Sequence, residues 1–222
     1  MMILLEGVLA AEDVARVVRG LDAAPWQDGR ATAGRAARAV KQNQQAVGDD
    51  PDVQSLGRFV TDALRRHPLF DLAVRPRRMS RLLFSRYSSG ETYGPHTDDA
   101  LMGEPPFRSD VAFTLFLADP ASYQGGALTI STPLGDQAIR LAAGDAVIYS
   151  AGTVHWVAPV TDGVRLAAVG WAQSFVRDPA QRELLFDLAT ARARCAEAGL
   201  ARETLLLLDR TQSNLLRMWA EP

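Results

Sequence analysis

Residues 143–165 read AGDAVIYSAGTVHWVAPVTDGVR, and this stretch decides the fold class. Short runs rich in Val, Ile and Tyr alternate there with the turn signals Gly144-Asp145 and Asp162-Gly163. Gly and Asp adopt the backbone conformations that tight turns need, and closely spaced short strands are typical of a β-sandwich or barrel. The stretch therefore predicts β-structure, and it carries two side chains capable of chemistry, His155 and Arg165.

The same texture extends to both sides of that stretch, from Arg81 to about Phe175. Gly, Pro and Asp interrupt short runs of Val, Ile, Leu, Phe and Thr at intervals of about ten residues, as in sandwiches and barrels. The predicted strands cover residues 81–87, 111–117, 127–131, 137–141, 146–150, 155–159 and 164–171. The protein is therefore predicted to be mainly β with flanking helices.

Helical patterns precede this β region. Apolar residues recur at helical spacing over residues 14–21, which predicts an N-terminal amphipathic helix. Asp50-Pro51 combines an N-cap with a first-turn proline, so it predicts a second helix that ends near residue 67. Residues 26–50, between the two helices, lack a sustained period and predict a loop or a weak edge strand.

The chain returns to a helical pattern after residue 177. Asp178-Pro179 repeats the cap-and-proline start, and apolar positions then favour two helices with a break near Gly199. We therefore expect residues 1–177 to form a β domain with N-terminal helices and residues 178–222 to form a C-terminal helical extension. Packing or self-association is the ordinary role of such a hairpin, so a homo-oligomer through these helices is one of the two expected outcomes.

Composition excludes several classes of protein. The 222 residues contain 24 Lys+Arg and 26 Asp+Glu, and the net charge of −2 provides no field for nucleic acid or an acidic membrane. The single Cys195 excludes intrachain disulfides and multi-cysteine metal sites. The apolar N-terminus is too short for a signal peptide, and no uncharged stretch is long and apolar enough to span a bilayer. We expect a soluble, cytoplasmic protein.

Two of the three histidines are candidate metal ligands. His67 precedes a proline at a helix end, where a solvated turn residue is expected. In His96-Thr-Asp98 the two outer side chains point to the same side of an extended backbone, whereas Asp99 should point away. This pair alone is a weak signal, but His155 could join it from the facing sheet. Two histidines and one carboxylate are typical of non-haem Fe(II) oxygenases, because three ligands on one face leave coordination positions open.

Arg165 is the fourth member of this set. It lies in an otherwise apolar strand, where an unpaired guanidinium is costly, so its natural partner is an anion bound inside the barrel, such as the far carboxylate of 2-oxoglutarate. A two-residue hairpin centred on Asp162-Gly163 would put His155 and Arg165 on opposite sheet faces. The hypothesis therefore requires a longer loop, or a bulge near Pro159.

Four motifs carry a family resemblance: RYSSGETYGPHTD at residues 86–98, YQGG at 123–126, AGD at 143–145 and HWVAPVTDGVR at 155–165. Their combination resembles the PKHD-type hydroxylases of the prolyl 4-hydroxylase-like Fe(II)/2-oxoglutarate oxygenase superfamily. The resemblance implies a double-stranded β-helix (jelly roll) core, with His96, Asp98 and His155 as iron ligands at the catalytic centre. It also implies that Arg165 binds 2-oxoglutarate, that Tyr87 can help to bind it, and that L-ascorbate serves as auxiliary reductant.

The activity that the resemblance implies is hydroxylation of a second substrate, coupled to conversion of 2-oxoglutarate and O₂ into succinate and CO₂. The sequence leaves that substrate open among peptidyl-proline, a free amino acid and another small molecule, and bacterial members of the superfamily are associated with iron uptake. Two other hypotheses remain at this stage: a cupin-like isomerase or hydrolase, and a non-catalytic iron or 2-oxoglutarate sensor. Trp156 and Trp171 are candidates for lining a substrate cleft or for packing in the core.

Overall fold

A computed structural model describes residues 2–34 and 37–221. Within these residues the helices are α1 (Ala11–Asp22), α2 (Pro51–Arg66), α3 (Pro68–Val74), α4 (Pro179–Glu197) and α5 (Arg202–Trp219). The strands are β1 (Met2–Leu5), β2 (Trp26–Asp28), β3 (Lys41–Gln42), β4 (Gln44–Ala46), β5 (Pro76–Met79), β6 (Leu83–Tyr87), β7 (Thr92–His96), β8 (Leu101–Met102), β9 (Phe107–Arg108), β10 (Val111–Phe116), β11 (Tyr123–Gly125), β12 (Leu128–Thr132), β13 (Gly135–Ile139), β14 (Ala146–Ser150), β15 (His155–Val157), β16 (Val160–Gly163) and β17 (Arg165–Ser174).

Two antiparallel sheets form the β core. The larger sheet has the strand order β1-β14-β10-β17-β6-β4-β2, and β5 also pairs with β17. The smaller sheet has the order β13-β12-β15-β7-β3. Each of the seven predicted strands is present, with ends that differ from the prediction by no more than three residues. The mainly β prediction is therefore confirmed.

The connection from His155 to Arg165 changes sheets. His155 begins β15 in the smaller sheet, β16 pairs with β11 outside both sheets, and Arg165 begins β17 in the larger sheet. No tight hairpin is centred on Asp162-Gly163, because these residues belong to β16 and pair with β11. The predicted need for a longer connection is met by this crossover, which removes the parity conflict of a simple hairpin.

The helices begin where the caps predict. Asp50 accepts hydrogen bonds from the backbone N–H groups of the first turn of α2, and Asp178 does the same for α4. The short helix α3 follows α2 directly and differs from the prediction, in which His67-Pro68 ends the helical pattern. A second first-turn proline, Pro68, restarts the helix instead.

The main core lies between the larger sheet and helices α1 to α3. Phe113 of β10 and Phe70 of α3 are fully buried and meet edge to face, with ring centroids 5.6 Å apart. A second buried cluster includes Phe116 and Tyr149 of the larger sheet together with Ile130 of the smaller one. The first cluster fixes the helices on the outer face of the sheet, and the second surrounds the space between the sheets.

Residues 26–50 form more structure than the sequence predicts. Strand β4 pairs with β6 at one end of the larger sheet, and β3 pairs with β7 at the edge of the smaller sheet. An edge strand is one of the two predicted outcomes for this segment. The finding is that the segment contributes an edge strand to both sheets, so it borders the space between them.

The C-terminal helices pack on the β domain through α4. Helix α4 contacts α3, and α5 contacts α4. Arg182 is buried and donates hydrogen bonds to the carbonyl oxygens of Val176 and Arg177, while Glu221 pairs with Arg108 at 3.1 Å. A division into domains at residues 177 and 178 stays a prediction. Among the described helices, none is both long and apolar enough to cross a membrane.

Candidate metal centre and its cavity

The three predicted ligand residues lie together. One donor atom from each of His96, Asp98 and His155 lies within 4.8 Å of the others, and the Asp98 Oδ1 to His155 Nε2 distance is 3.9 Å. The Asp98 and His155 side chains are only 5% and 7% exposed. The residues described here therefore form a compact donor set of two imidazole nitrogens and one carboxylate.

One detail of the prediction is wrong: His155 does not come from the facing sheet. Strands β7 and β15 are neighbours in the smaller sheet, and His155 lies directly opposite His96 across this pair. The two imidazole ring centroids are 4.3 Å apart. Asp98 follows the end of β7, where its backbone N–H bonds to the Ala151 carbonyl oxygen at 3.3 Å.

Hydrogen bonds to the backbone orient both imidazoles. The Nδ1 atom of His96 lies 2.9 Å from the Gly94 carbonyl oxygen, and Nδ1 of His155 lies 2.9 Å from that of Thr153. A carbonyl oxygen only accepts, so Nδ1 is the protonated nitrogen in both rings. Nε2 is then the nitrogen of each ring that can offer its lone pair to a metal.

The buried surroundings of His96 keep its imidazole neutral. Burial, reinforced by His155, lowers the pKa of His96 to about 4, so the ring is neutral at pH 7. Burial raises the pKa of the Asp98 carboxyl, while His155 acts in the opposite direction. The Oδ2 atom of Asp98 is buried and has no hydrogen-bond partner among the described residues. A buried carboxylate oxygen without a partner is costly, and a cation placed between these donors would relieve that cost.

Arg165 reaches the same cavity from the larger sheet. It is 1% exposed, and it forms no hydrogen bond or ion pair with any residue in the described part of the chain. Its guanidinium lies 5.2 Å from the Tyr87 ring centroid and 5.4 Å from that of Phe116. Burial lowers its pKa, although an arginine remains charged at pH 7. An anion is the partner that this buried charge lacks.

Tyr87 lies beside Arg165. The two residues are opposite each other in the β6–β17 pair, and both line the cavity. Tyr87 is 3% exposed, and burial raises its pKa to about 12, so its hydroxyl stays protonated and can donate a hydrogen bond at neutral pH.

The glycine at position 126 allows Arg165 to pack closely. Its φ of +62° belongs to the left-handed region, and a Cβ there would lie 2.9 Å from Val160 Cγ2 and 3.2 Å from Arg165 Cδ. The second glycine of the YQGG motif thus provides room for the stem of the buried arginine.

The cavity between the sheets encloses about 740 Å³ of empty space, part of it open to solvent. One wall of it, not predicted from the sequence, is formed by Lys41, Gln45 and Thr32 of the segment predicted as loop or edge strand. Lys41, Asn43 and Gln45 alternate at the two-residue period of a strand and are all buried. A strand is usually recognised by apolar side chains at every second position, and these three buried side chains are polar, so the sequence does not reveal the strand.

Other expectations have mixed outcomes. Trp171 lines the cavity, whereas the described lining does not include Trp156, its fellow candidate. Asp99, predicted to point away from the site, is exposed at the rim of the cavity and is not part of the donor set. Strand β7 ends at His96, so residues 97–99 lie beyond it and the strand alternation does not extend to Asp99.

Comparisons with known proteins decide the family. Residues 82–173 match the 2OG-Fe(II) oxygenase superfamily. PKHD-type hydroxylases from Synechococcus elongatus and Maricaulis maris are 46% and 48% identical to this chain, over 100% of this chain and of each relative. The chain belongs to the PKHD-type hydroxylases. It is therefore an oxygenase of the Fe(II) and 2-oxoglutarate class, as the resemblance predicts.

This PKHD-type hydroxylase also has the predicted jelly-roll fold. A crystal structure of a Pseudomonas putida prolyl-4-hydroxylase matches 78% of this chain and 92% of its own with a TM-score of 0.52, at 20% sequence identity. The family implies Fe(II) and 2-oxoglutarate. The two imidazoles, the unpaired carboxylate oxygen and the unpaired guanidinium of this PKHD-type hydroxylase fit both groups.

Proposed function

We propose that His96, Asp98 and His155 bind Fe(II) and that Arg165, assisted by Tyr87, binds 2-oxoglutarate. The enzyme would hydroxylate a C–H bond of a second substrate with O₂, while 2-oxoglutarate is converted to succinate and CO₂. The observation that carries the proposal is the meeting of three buried donors and one unpaired buried guanidinium in a single cavity. In a cupin-like isomerase or hydrolase the same guanidinium would bind the substrate, so succinate formation by the wild type is what separates the oxygenase from these alternatives.

Iron would be held by two neutral nitrogen donors and one anionic oxygen donor. When bound, the iron would supply activation of O₂ for the oxidation of the co-substrate and the substrate. Both histidines carry a proton on Nδ1, which leaves Nε2 as the nitrogen that would bind the metal. The backbone carbonyl oxygens of Gly94 and Thr153 hold the rings in that orientation.

Arg165 would bind the carboxylate of 2-oxoglutarate that lies farther from the metal. Its forked guanidinium suits a bidentate contact, and its burial strengthens the attraction because water is excluded. The rings of Tyr87 and Phe116 restrict its position. Together they would fix the length and direction of the co-substrate relative to the metal donors.

The remaining parts of the proposal concern the reductant, the substrate and assembly. L-ascorbate would serve as an auxiliary reductant that returns the iron to its ferrous state. The second substrate would be a peptidyl-proline, an amino acid or another small molecule. A link to iron uptake would be tested by comparing the metabolites of cells that carry the wild type with those of cells that carry His96→Ala. A homo-oligomer would use α5, where Leu206, Leu207 and Met218 are exposed.

Succinate formation tests the proposed function. Reduced, iron-loaded protein is incubated with 2-oxoglutarate, O₂ and ascorbate, and succinate is measured with and without candidate substrates. We expect succinate from the wild type and a large loss in His96→Ala and in Arg165→Met. Leaving out ascorbate should shorten the time course. An equal rate of succinate formation in the wild type and both variants would contradict the proposal.

A further inference from the structure

A second cation faces the cavity of the metal centre. Lys41 is 4% exposed and lies on β3, directly opposite Tyr93 of β7. Its ammonium is 5.0 Å from the centroid of the Tyr93 ring, which stacks on His96 with centroids 3.7 Å apart. The Tyr93 ring therefore lies between Lys41 and His96, a proposed iron ligand.

The Lys41 ammonium lacks a counter-ion. An ammonium offers three N–H donors, and within the described residues only one is used, in a 3.2 Å hydrogen bond to the neutral Thr32 hydroxyl. No carboxylate of those residues lies within ion-pair distance of it. Asp28 and Asp98 act on Lys41 only from beyond that distance: Asp28 is already bound to Arg30 at 2.6 Å, and Asp98 belongs to the donor set of the metal centre.

Thr32 is itself held in place by the cavity wall. Its hydroxyl contacts the Gln45 side-chain oxygen, and the Gln45 amide donates to the Ser85 hydroxyl at 3.3 Å. All three side chains line the same cavity as Lys41. This polar chain orients the ammonium, yet it contributes no negative charge.

Lys41 is the only lysine among the 24 basic residues of the chain, and the other 23 are arginines. Lys41 thus carries the only lysine ammonium of the chain, and it is buried in the cavity. A compact ammonium with free N–H groups binds a carboxylate as a point charge, where the larger planar guanidinium fork would demand more room.

The charges that line the cavity indicate which chemical class of ligand Lys41 would bind. 2-Oxoglutarate has two carboxylates, and the proposed function assigns one to the metal and the other to Arg165. Lys41 is then a remaining cation with no anion. We propose that Lys41 binds a carboxylate of the primary substrate, so that this substrate is a small molecule or chain end with a free carboxylate. An internal peptidyl residue with an uncharged side chain, including peptidyl-proline, has no such group. This inference rests on the proposed function, because it assumes that Arg165 takes the co-substrate.

The single lysine permits a direct test. Protein labelled with [¹³Cε]lysine gives one lysine side-chain NMR signal, and Zn(II) replaces iron to keep the sample diamagnetic and prevent turnover. With 2-oxoglutarate present, the protein is titrated with the common L-amino acids and with short peptides bearing free C-termini. Methyl esters of the same amino acids and C-terminally amidated peptides serve as matched ligands without the carboxylate.

We expect at least one free carboxylate to shift the Lys41 signal in a saturable manner, and its ester or amide to bind about 10- to 100-fold more weakly. In Lys41→Met, calorimetric titration should show a similar loss of affinity for the carboxylate and little change for the ester. Lys41→Arg keeps the charge, so the carboxylate should still bind more tightly than its ester, although the larger guanidinium should weaken the binding of both. A residue with only a structural role, supporting Tyr93, would weaken both ligands equally and leave their ratio unchanged.

Three results would overturn the inference. The first is equal affinity of the wild type for carboxylate and ester, and the second is an unchanged ratio of these two affinities in Lys41→Met. The third is no binding of any of these ligands up to ~10 mM, a range that includes millimolar Kd values. Loss of 2-oxoglutarate binding in Lys41→Met but not in Arg165→Met would also overturn it. The proposed function fails separately, if the wild type binds neither the metal nor 2-oxoglutarate. Unchanged binding of both by Lys41→Met is the control for its fold.

Discussion

His155 and Arg165, ten residues apart in the sequence, line one cavity from two different sheets. Strand β16 makes this possible by carrying the chain from the smaller sheet to the larger one. A metal ligand and an anion-binding group thereby face the same space. This arrangement provides both ends of a binding site for a molecule that contacts the metal and the guanidinium at once.

Asp98→Asn should abolish tight metal binding without unfolding the protein. The substitution removes the only carboxylate of the donor set, and we expect Fe(II) affinity to fall at least ~100-fold, since even outer-shell partners account for 10- to 100-fold. The unfolding free energy of the metal-free variant should equal or exceed that of the wild type, because a buried carboxylate with an unpaired oxygen is lost. Asp99→Asn, at the exposed neighbouring position, is the control. Tight Fe(II) binding by Asp98→Asn would count against the assignment.

Arg165→Met should raise the KM for 2-oxoglutarate by ~100-fold or more, since two hydrogen bonds between charged groups are lost. Metal affinity should not change, because Arg165 is not part of the donor set. Arg177→Met, at an exposed position outside the cavity, provides the matched control. Steady-state kinetics and Fe(II) titration separate the two effects. A variant that loses iron but keeps its KM would place Arg165 in a different role.

Gly126→Ala should weaken both the fold and co-substrate binding. The added Cβ lies 2.9 Å from Val160 and 3.2 Å from the Arg165 stem, so either neighbour must move. Gly135→Ala is the control, because Gly135 also has a positive φ, of +106°, but no atom lies within 4 Å of its added Cβ. We expect Gly126→Ala to lower the unfolding free energy by about 1 to 3 kcal/mol more than the control does. Its KM for 2-oxoglutarate should also rise, and equal effects of the two substitutions would refute the packing role.

Lys41→Met should stabilise the protein without metal or 2-oxoglutarate, and the gain should depend on pH. Burial lowers the pKa of Lys41 from 10.5 to about 8. The unfolded chain therefore binds the proton more tightly, and the charged form disfavours folding by roughly 3 kcal/mol below pH 8. This cost diminishes as pH rises from 8 to 10.5. The difference in unfolding free energy between variant and wild type, measured in urea, should be largest at pH 7 and shrink toward pH 10. A difference that does not depend on pH would contradict the effect.

Local patterns in the sequence are sufficient for much of the fold. Ala146–Ser150 is predicted with its observed ends because turn residues flank a short apolar run, and Asp50 and Asp178 cap helices where predicted. Pairing between distant segments is harder to predict. His155 is predicted in the facing sheet but pairs beside His96, because nothing in a single strand specifies its neighbour.

The candidate site is predictable where its residue types are rare. Only three histidines are present, and Arg165 is conspicuous among apolar neighbours, so the sequence alone is enough to select these positions. Lys41 cannot be selected in this way. It lies in a polar segment that resembles a loop, and its burial depends on the pairing of β3 with β7, which the sequence does not reveal.

A crystal structure of the protein with Mn(II) and 2-oxoglutarate tests the central claim most directly, because Mn(II) can take the place of iron and its anomalous signal locates the metal. We predict one metal ion bound by His96, Asp98 and His155, with one carboxylate of 2-oxoglutarate at the metal and the other on Arg165. A metal ion bound elsewhere, or a 2-oxoglutarate carboxylate seated on Lys41 with Arg165 left unpaired, would contradict the account.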